Sequence, residues 1–88
     1  MRHSFVVMLS HNTDVLMRVV GLFRRHGVEV ESLFFSRTAN PDVGCLEVTV
    51  QGEGAFDLLR LQLAKQVEVL SAELTGLATE HQAAVAGG

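Results

Sequence analysis

A strand, helix and strand unit that occurs twice in 88 residues is the feature that most restricts how this chain can fold. Each unit passes from an apolar or alternating segment to a helical pattern and then to a second extended segment. The predicted elements are strand, helix, strand, strand, helix and strand at residues 4–10, 13–26, 28–38, 46–51, 54–66 and 67–74. Two such halves in one short chain indicate a single small domain.

Local signals support both helices. Asn12 or Thr13 can cap the first helix, and Gly27 can supply the left-handed residue that ends it. An apolar stripe at i, i+3, i+4 and i+7 is predicted to face the sheet, and its members are Leu16, Val19, Val20 and Phe23. In the second helix, the residues predicted to face the sheet are Phe56, Leu59 and Leu63.

A turn at Asn40-Pro41-Asp42 joins the two halves as a hairpin. Because βαβ crossovers are right-handed, both helices lie on one face of a four-stranded antiparallel sheet, which is an α+β ferredoxin-like βαββαβ sandwich. The opposite face carries Val6 and Met8, so we expect a partner to cover it or to extend the sheet. Edge residues and the chain end folding over it are the alternative. Residues 1–75 form the predicted domain, and 76–88 a flexible tail.

Composition excludes several classes of protein. The net charge is −3 at pH 7, and Arg24-Arg25 is the only adjacent basic pair, which argues against nucleic acid and anionic membranes as partners. The lone Cys45 cannot form an internal disulfide, and neither a leader pattern nor a run of about twenty apolar residues is present. We therefore expect a cytoplasmic chain without a membrane segment.

No catalytic or metal-ligating pattern emerges. Gly52-Glu53-Gly54 is not followed by the lysine of a phosphate-binding loop, and no serine is placed with a base and an orienting acid. Phe34 and Phe35 are interpreted as packing residues rather than as a base-stacking pair. The histidines lack metal-pair spacing and are interpreted as surface or helix-end residues: His3, His11, His26 and His81.

An ordered set of residues resembles a known family. It runs through Asp14-Val15-Leu16, Arg18-Val19, Gly21-Leu22-Phe23, Arg25, Gly27, Glu31-Ser32-Leu33 and Gln62-Leu63-Ala64-Lys65. This order and spacing resemble the ACT domain of the small regulatory subunit of acetolactate (acetohydroxyacid) synthase, over residues 1 to 75. No second domain follows, so the chain is similar to the short, single-ACT kind of small subunit.

The resemblance implies a non-catalytic protein that binds and activates the large catalytic subunit in branched-chain amino acid biosynthesis. Thiamine diphosphate, Mg²⁺ and FAD belong to that subunit, and none to this chain. The resemblance also implies an ACT homodimer with an amino-acid site at its interface. The implied site residues are His11, Asn12, Thr13, Asp14, Val15 and Leu16 of one protomer, with Glu29 and Val30 of the other. Arg24 and Arg25 either complement the dipole of the first helix or contact the large subunit.

Asp14 and Glu29 depart from the family pattern, which has glycine and asparagine there. At roughly 5 Å and an effective dielectric of about 20, repulsion between Asp14 and a ligand carboxylate costs about 3 kcal/mol, or over a hundredfold in affinity. We therefore predict weak or absent valine feedback. Asp14 can at the same time be a favourable acid in the first helical turn. The alternative function is a free-standing ACT-type amino-acid sensor.

Overall fold

The computed structural model describes residues 2–52 and 56–75. The elements follow the order β1 (Arg2–Ser10), α1 (Thr13–Arg25), β2 (Glu29–Arg37), β3 (Val43–Gln51), α2 (Phe56–Ala64) and β4 (Val69–Leu74). The strands form one antiparallel sheet in the order β2-β3-β1-β4. Both helices pack on one face of it, so the predicted ferredoxin-like sandwich is confirmed.

The core lies between the helices and the central strands β1 and β3. Phe5 is fully buried there, with its ring edge-on to Phe23 at 5.2 Å between centroids. The other buried apolar residues are Val7, Leu9, Val15, Val19, Leu22, Leu46, Val48, Val50, Leu59, Leu63 and Ala72. The odd-numbered residues of β1 therefore face the helices, and its even-numbered residues face the uncovered side of the sheet.

The predicted stripe of α1 was partly wrong. Val19 and Phe23 are buried and Leu16 packs against the core as expected, but Val20 is only half-buried and is not part of the core. The positions that complete the buried stripe are Val15 and Leu22. Apolar residues occupy both candidate stripes of this helix, so its rotation is decided by packing against β1 and not by the helical period. Gly27 has φ +74°, which confirms its role in ending the helix.

The second half of the chain begins its last strand later than predicted. Val67, predicted to start β4, is 72% exposed in the turn that follows α2, and the strand begins at Val69. Val67 was assigned to the strand because it is apolar, but single apolar residues are often exposed, so residue type alone did not show that Val67 lies in a turn. The predicted start of α2 at Gly54 and the predicted tail 76–88 lie outside the described residues.

Glu68, in the turn before β4, has φ +71°. Its carbonyl accepts a hydrogen bond from the backbone N–H of Ser10 at 2.9 Å, which holds the turn against β1. Left-handed backbone costs a residue with a Cβ about 1 kcal/mol, and glycine avoids that cost. We expect Glu68→Gly to raise the free energy of unfolding by about 0.5–1 kcal/mol, measured by urea denaturation. Glu68→Ala is the matched control, because it removes the carboxylate and keeps the Cβ. Equal stabilities of the two variants would show that the left-handed backbone at residue 68 is not strained.

Candidate functional site

The two groups of predicted site residues lie at opposite ends of the sheet within one chain. Glu29 pairs with Gln51 of β3, and Gln51 pairs with Arg2 at the start of β1. The other group follows Ser10, at the end of β1, which is about 27 Å away along a nine-residue strand. A single protomer therefore does not assemble the predicted site.

Exposure differs among the predicted residues. Val15 is buried in the core and Leu16 is half-buried, so both have a packing role. The side chains that remain exposed are His11, Asn12, Thr13, Asp14, Glu29 and Val30. Two of these carry carboxylates, and each lies near the start of a helix or strand. Each of the two groups therefore carries one exposed carboxylate, Asp14 in the first and Glu29 in the second.

The N-cap residue of α1, Asn12, hydrogen-bonds backbone N–H groups at the start of the helix. Asn12 Oδ1 accepts hydrogen bonds from the backbone N–H groups of Asp14 at 2.8 Å and Val15 at 3.4 Å. The Asn12 carbonyl accepts from Leu16 N–H at 3.0 Å. The Asp14 and Val15 N–H groups are two of the donors that a helix N-terminus offers to an anion, whereas the Leu16 bond is the first regular bond of the helix. The sequence indicated Asn12 or Thr13 as the cap, and the structure shows that Asn12 is the cap and that it occupies two donors of the helix N-terminus.

A stacked pair that the sequence analysis missed stands beside this loop. The His11 ring lies on the Phe35 ring, with centroids 5.2 Å apart and planes at 24°. The backbone N–H of His11 donates to the Asp42 carbonyl at 2.9 Å, which ties the loop to the β2–β3 turn. A Cβ on Gly44 would overlap the Phe35 ring, so the ring can occupy this position only because residue 44 is glycine. The sequence held no clear signal for this, because the predicted strand began at residue 46, and Gly44 lies inside β3 only in the structure.

Gly44→Ala should displace the Phe35 ring and break its stacking on His11. We expect the free energy of unfolding to fall by about 1–2 kcal/mol, as measured by urea denaturation. In a Phe35→Ala background the same change should cost little, since the overlapping ring is gone. Gly21→Ala is the comparison in open space, and there alanine should stabilise the helix interior by about 0.5–1 kcal/mol. An equal cost of Gly44→Ala with and without Phe35 would refute the overlap.

The edge strand β2 exposes apolar side chains on both of its faces. Phe34 is 53% exposed, so its interpretation as a packing residue was wrong, whereas Phe35 packs against the core. Val30 and Leu33 are also exposed, at 39% and 41%. Phe34 pairs with Glu47 on the face opposite the helices, where no described element covers it. These residues give β2 the character of a contact surface.

Charged groups lie at both ends of β2. Glu31 forms an ion pair with Arg2 at 2.8 Å and accepts a hydrogen bond from the Gln51 side-chain amide. Glu29 precedes it, and Arg37 ends the strand. The strand is therefore acidic where it starts and basic where it ends.

Among residues 2–52 and 56–75, no three His, Cys, Asp or Glu side chains are grouped to hold a metal ion. No helix in that part of the chain is long and apolar enough to cross a bilayer.

Known proteins share this sequence and fold. The family model described as ACT domain matches residues 11–72. A probable acetolactate synthase small subunit from Archaeoglobus fulgidus is 32% identical over 84 residues, covering 93% of this chain and 53% of that protein. The acetolactate synthase isozyme 3 small subunit of Escherichia coli is 35% identical over 71 residues, covering 80% and 44%. The chain thus spans about half the length of these relatives.

Solved structures agree on the fold. The acetolactate synthase small subunit from Thermotoga maritima superposes with a TM-score of 0.73 at 23% identity, covering 84% of this chain and 47% of that one. The ACT domain from the GTP pyrophosphokinase of Chlorobium tepidum gives 0.70 at 9% identity, covering 83% and 95%. With the βαββαβ sandwich and the match over residues 11–72, these findings establish that the chain belongs to the ACT domain family, with acetolactate synthase small subunits among its relatives.

Proposed function

We propose that this chain is a non-catalytic regulatory module that binds the large catalytic subunit of an acetolactate synthase and raises its activity. The observation that carries the proposal is the 32–35% identity to acetolactate synthase small subunits over most of the chain. Thiamine diphosphate, Mg²⁺ and FAD are assigned to the large subunit, and this chain supplies protein contacts only. Under this proposal the module works in the cytoplasm, beside the enzyme it activates.

The module acts as a homodimer in which two β2 strands pair antiparallel. An antiparallel pair of identical strands sets the start of each beside the end of the other. Glu29, at the acidic start, then lies against Arg37, at the basic end, of the second copy, while Glu31 stays paired with Arg2. The exposed side chain of Leu33, the central residue of β2, lies near the two-fold axis and becomes covered. Charge and apolar burial therefore favour the same arrangement.

The same pairing completes the predicted amino-acid site. Arg37 pairs with Gly44, and Gly44 lies beside His11, so the end of β2 adjoins the loop that enters α1. The start of the second copy's β2, with Glu29 and Val30, would come to that end. The separation of about 27 Å within one chain is thereby removed. His11–Leu16 of one protomer and Glu29–Val30 of the other are the proposed ligand-facing segments.

This site holds valine weakly or not at all. The Asn12 side chain already occupies two backbone donors of the α1 N-terminus. The exposed Asp14 carboxylate takes the positive end of the helix dipole and repels the carboxylate of a ligand. Glu29 adds a second negative charge where the site closes. Occupied donors and like charge together disfavour the zwitterion, so the module serves mainly to activate its partner.

An activity assay tests the proposal directly. The cognate acetolactate synthase large subunit is assayed with and without this chain, and with and without valine. We expect the chain to raise acetolactate formation several-fold, by an amount that valine leaves nearly unchanged. An enzyme that ignores the chain would overturn the regulatory role. If the chain instead binds an amino acid tightly and leaves the enzyme unaffected, it is a free-standing sensor.

A further inference from the structure

The face of the sheet opposite the helices is built around Val6 of β1. Val6 pairs with Glu47 on β3 and with Glu73 on β4, and Glu47 pairs in turn with Phe34 on β2. Directly opposed residues of neighbouring strands point to the same side, so these four side chains form one row across the sheet. We call this surface, together with the neighbouring Met8, the Glu47–Glu73 face.

The floor of this face is apolar. Val6 and Met8 are half-buried, and Met8 is flanked by Cys45 on β3 and Ser71 on β4. Phe34 stands at the border, where more than half of its surface is exposed. An apolar floor of this kind, which residues 2–52 and 56–75 leave uncovered, is typical of a protein contact surface.

The charge of the face has one sign. Glu47 and Glu73 stand on either side of Val6, about 10 Å apart across two strand spacings. Neither forms an ion pair with any residue in the described ranges. Arg2, the basic residue at the edge of this face, is already engaged by Glu31. Burial raises the pKa of the Cys45 thiol, and the neighbouring Glu47 carboxylate raises it further, as expected beside an uncompensated negative charge.

We propose that the Glu47–Glu73 face docks the catalytic partner through a segment that presents an arginine or lysine side chain among apolar side chains. The cation lies over Val6, between the two carboxylates, and the apolar neighbours cover Met8 and Phe34. Charge-assisted bonds from one guanidinium or ammonium group then satisfy both acids in a partly desolvated site. The inference rests on the proposed function, since it assigns the surface by which that partner binds.

A second copy of this chain does not fit the same face. Stacking two identical faces about a two-fold axis would bring Glu47 and Glu73 of one copy towards the same carboxylates of the other, and like charges repel. Pairing through β2 extends the sheet in its own plane and leaves this face open. The dimer therefore presents two such surfaces on one side of an eight-stranded sheet.

Binding to the purified cognate large subunit, measured by titration calorimetry, tests the docking surface. We expect Glu47→Gln combined with Glu73→Gln to raise the dissociation constant at least about tenfold. Glu47→Lys combined with Glu73→Lys should raise it about a hundredfold. The matched control is Asp42→Asn with Asp57→Asn, which makes the same change in net charge in a loop and in the helical layer, and it should stay within about twofold. Raising the salt concentration should weaken binding by the wild type more than by the Gln variant.

Each outcome has one meaning. If the wild-type chain fails to bind the large subunit, the proposed function and the docking surface both fall. If the wild type binds and the Gln and Lys variants bind equally well, the regulatory role stands and the docking surface is wrong. Circular dichroism and sedimentation of the variants confirm that fold and dimer are retained, so that lost binding reports on the face alone. Equal losses for the Gln variant and the Asn control would also overturn the assignment, because they would show a nonspecific charge effect.

Discussion

Phe5→Ala is expected to lower the free energy of unfolding by about 3–5 kcal/mol. Phe5 is fully buried in β1, edge-on to Phe23, and its ring centroid lies 6.3 Å from that of Phe56. Removing the ring leaves a cavity that three elements cannot close without moving the sheet against both helices. Because small domains are stable by only about 5–15 kcal/mol, the loss is a large part of the total.

Urea denaturation followed by circular dichroism measures this loss, with wild type and variant at the same protein concentration. Phe34→Ala is the matched control, since it deletes the same ring from an exposed position on the edge strand β2. The control should cost less than about 1 kcal/mol. Similar costs at the two positions would show that the core is not centred on Phe5.

Asp14→Gly combined with Glu29→Asn is expected to tighten valine binding by more than about a hundredfold, from a wild-type dissociation constant weaker than about 100 μM. The substitutions remove both carboxylates that would face the ligand, and glycine also lets the ligand approach the helix N-terminus. Asp14→Gly alone should produce most of the gain, because Asp14 lies nearest the donors of α1.

Isothermal titration with valine measures this affinity. Asp57→Asn is the control, because Asp57 is the acid in the first turn of α2, outside the proposed site. A wild-type chain that binds valine tighter than about 100 μM would refute the electrostatic argument. If the double variant still fails to bind, the two hydrogen bonds of the Asn12 cap are the larger obstacle, and Asn12→Ala in that background would then restore binding.

The element order could be predicted from local signals that act over a few residues. Gly27 and Pro41 mark the end of α1 and the central turn, and both lie where the structure has them. The alternation of Leu46, Val48 and Val50 identifies the buried face of β3. Such patterns can be read without knowing which elements are neighbours, because backbone preferences and side-chain period are local properties.

The misses in α1, at Phe34 and at Gly44 share one cause, since each depends on a partner that is distant in sequence. The rotation of α1 could not be read from its sequence, because apolar residues occupy two overlapping stripes. Phe34 and Phe35 are adjacent and chemically alike, yet only Phe35 packs, because β3 fixes which of them faces the helices. The overlap that Gly44 avoids arises from a side chain nine residues earlier in the chain, on a paired strand.

By itself the sequence determined the βαββαβ order and the acidic residue at the start of the first helix, because side-chain period, turn residues and charge depend only on residues close in sequence. Only the tertiary structure decided that the predicted site is divided between the two ends of the sheet. It also decided that Glu47 and Glu73 flank Val6 on an uncovered face. Cross-strand register sets these relations, and register follows from how the whole sheet packs on its helices.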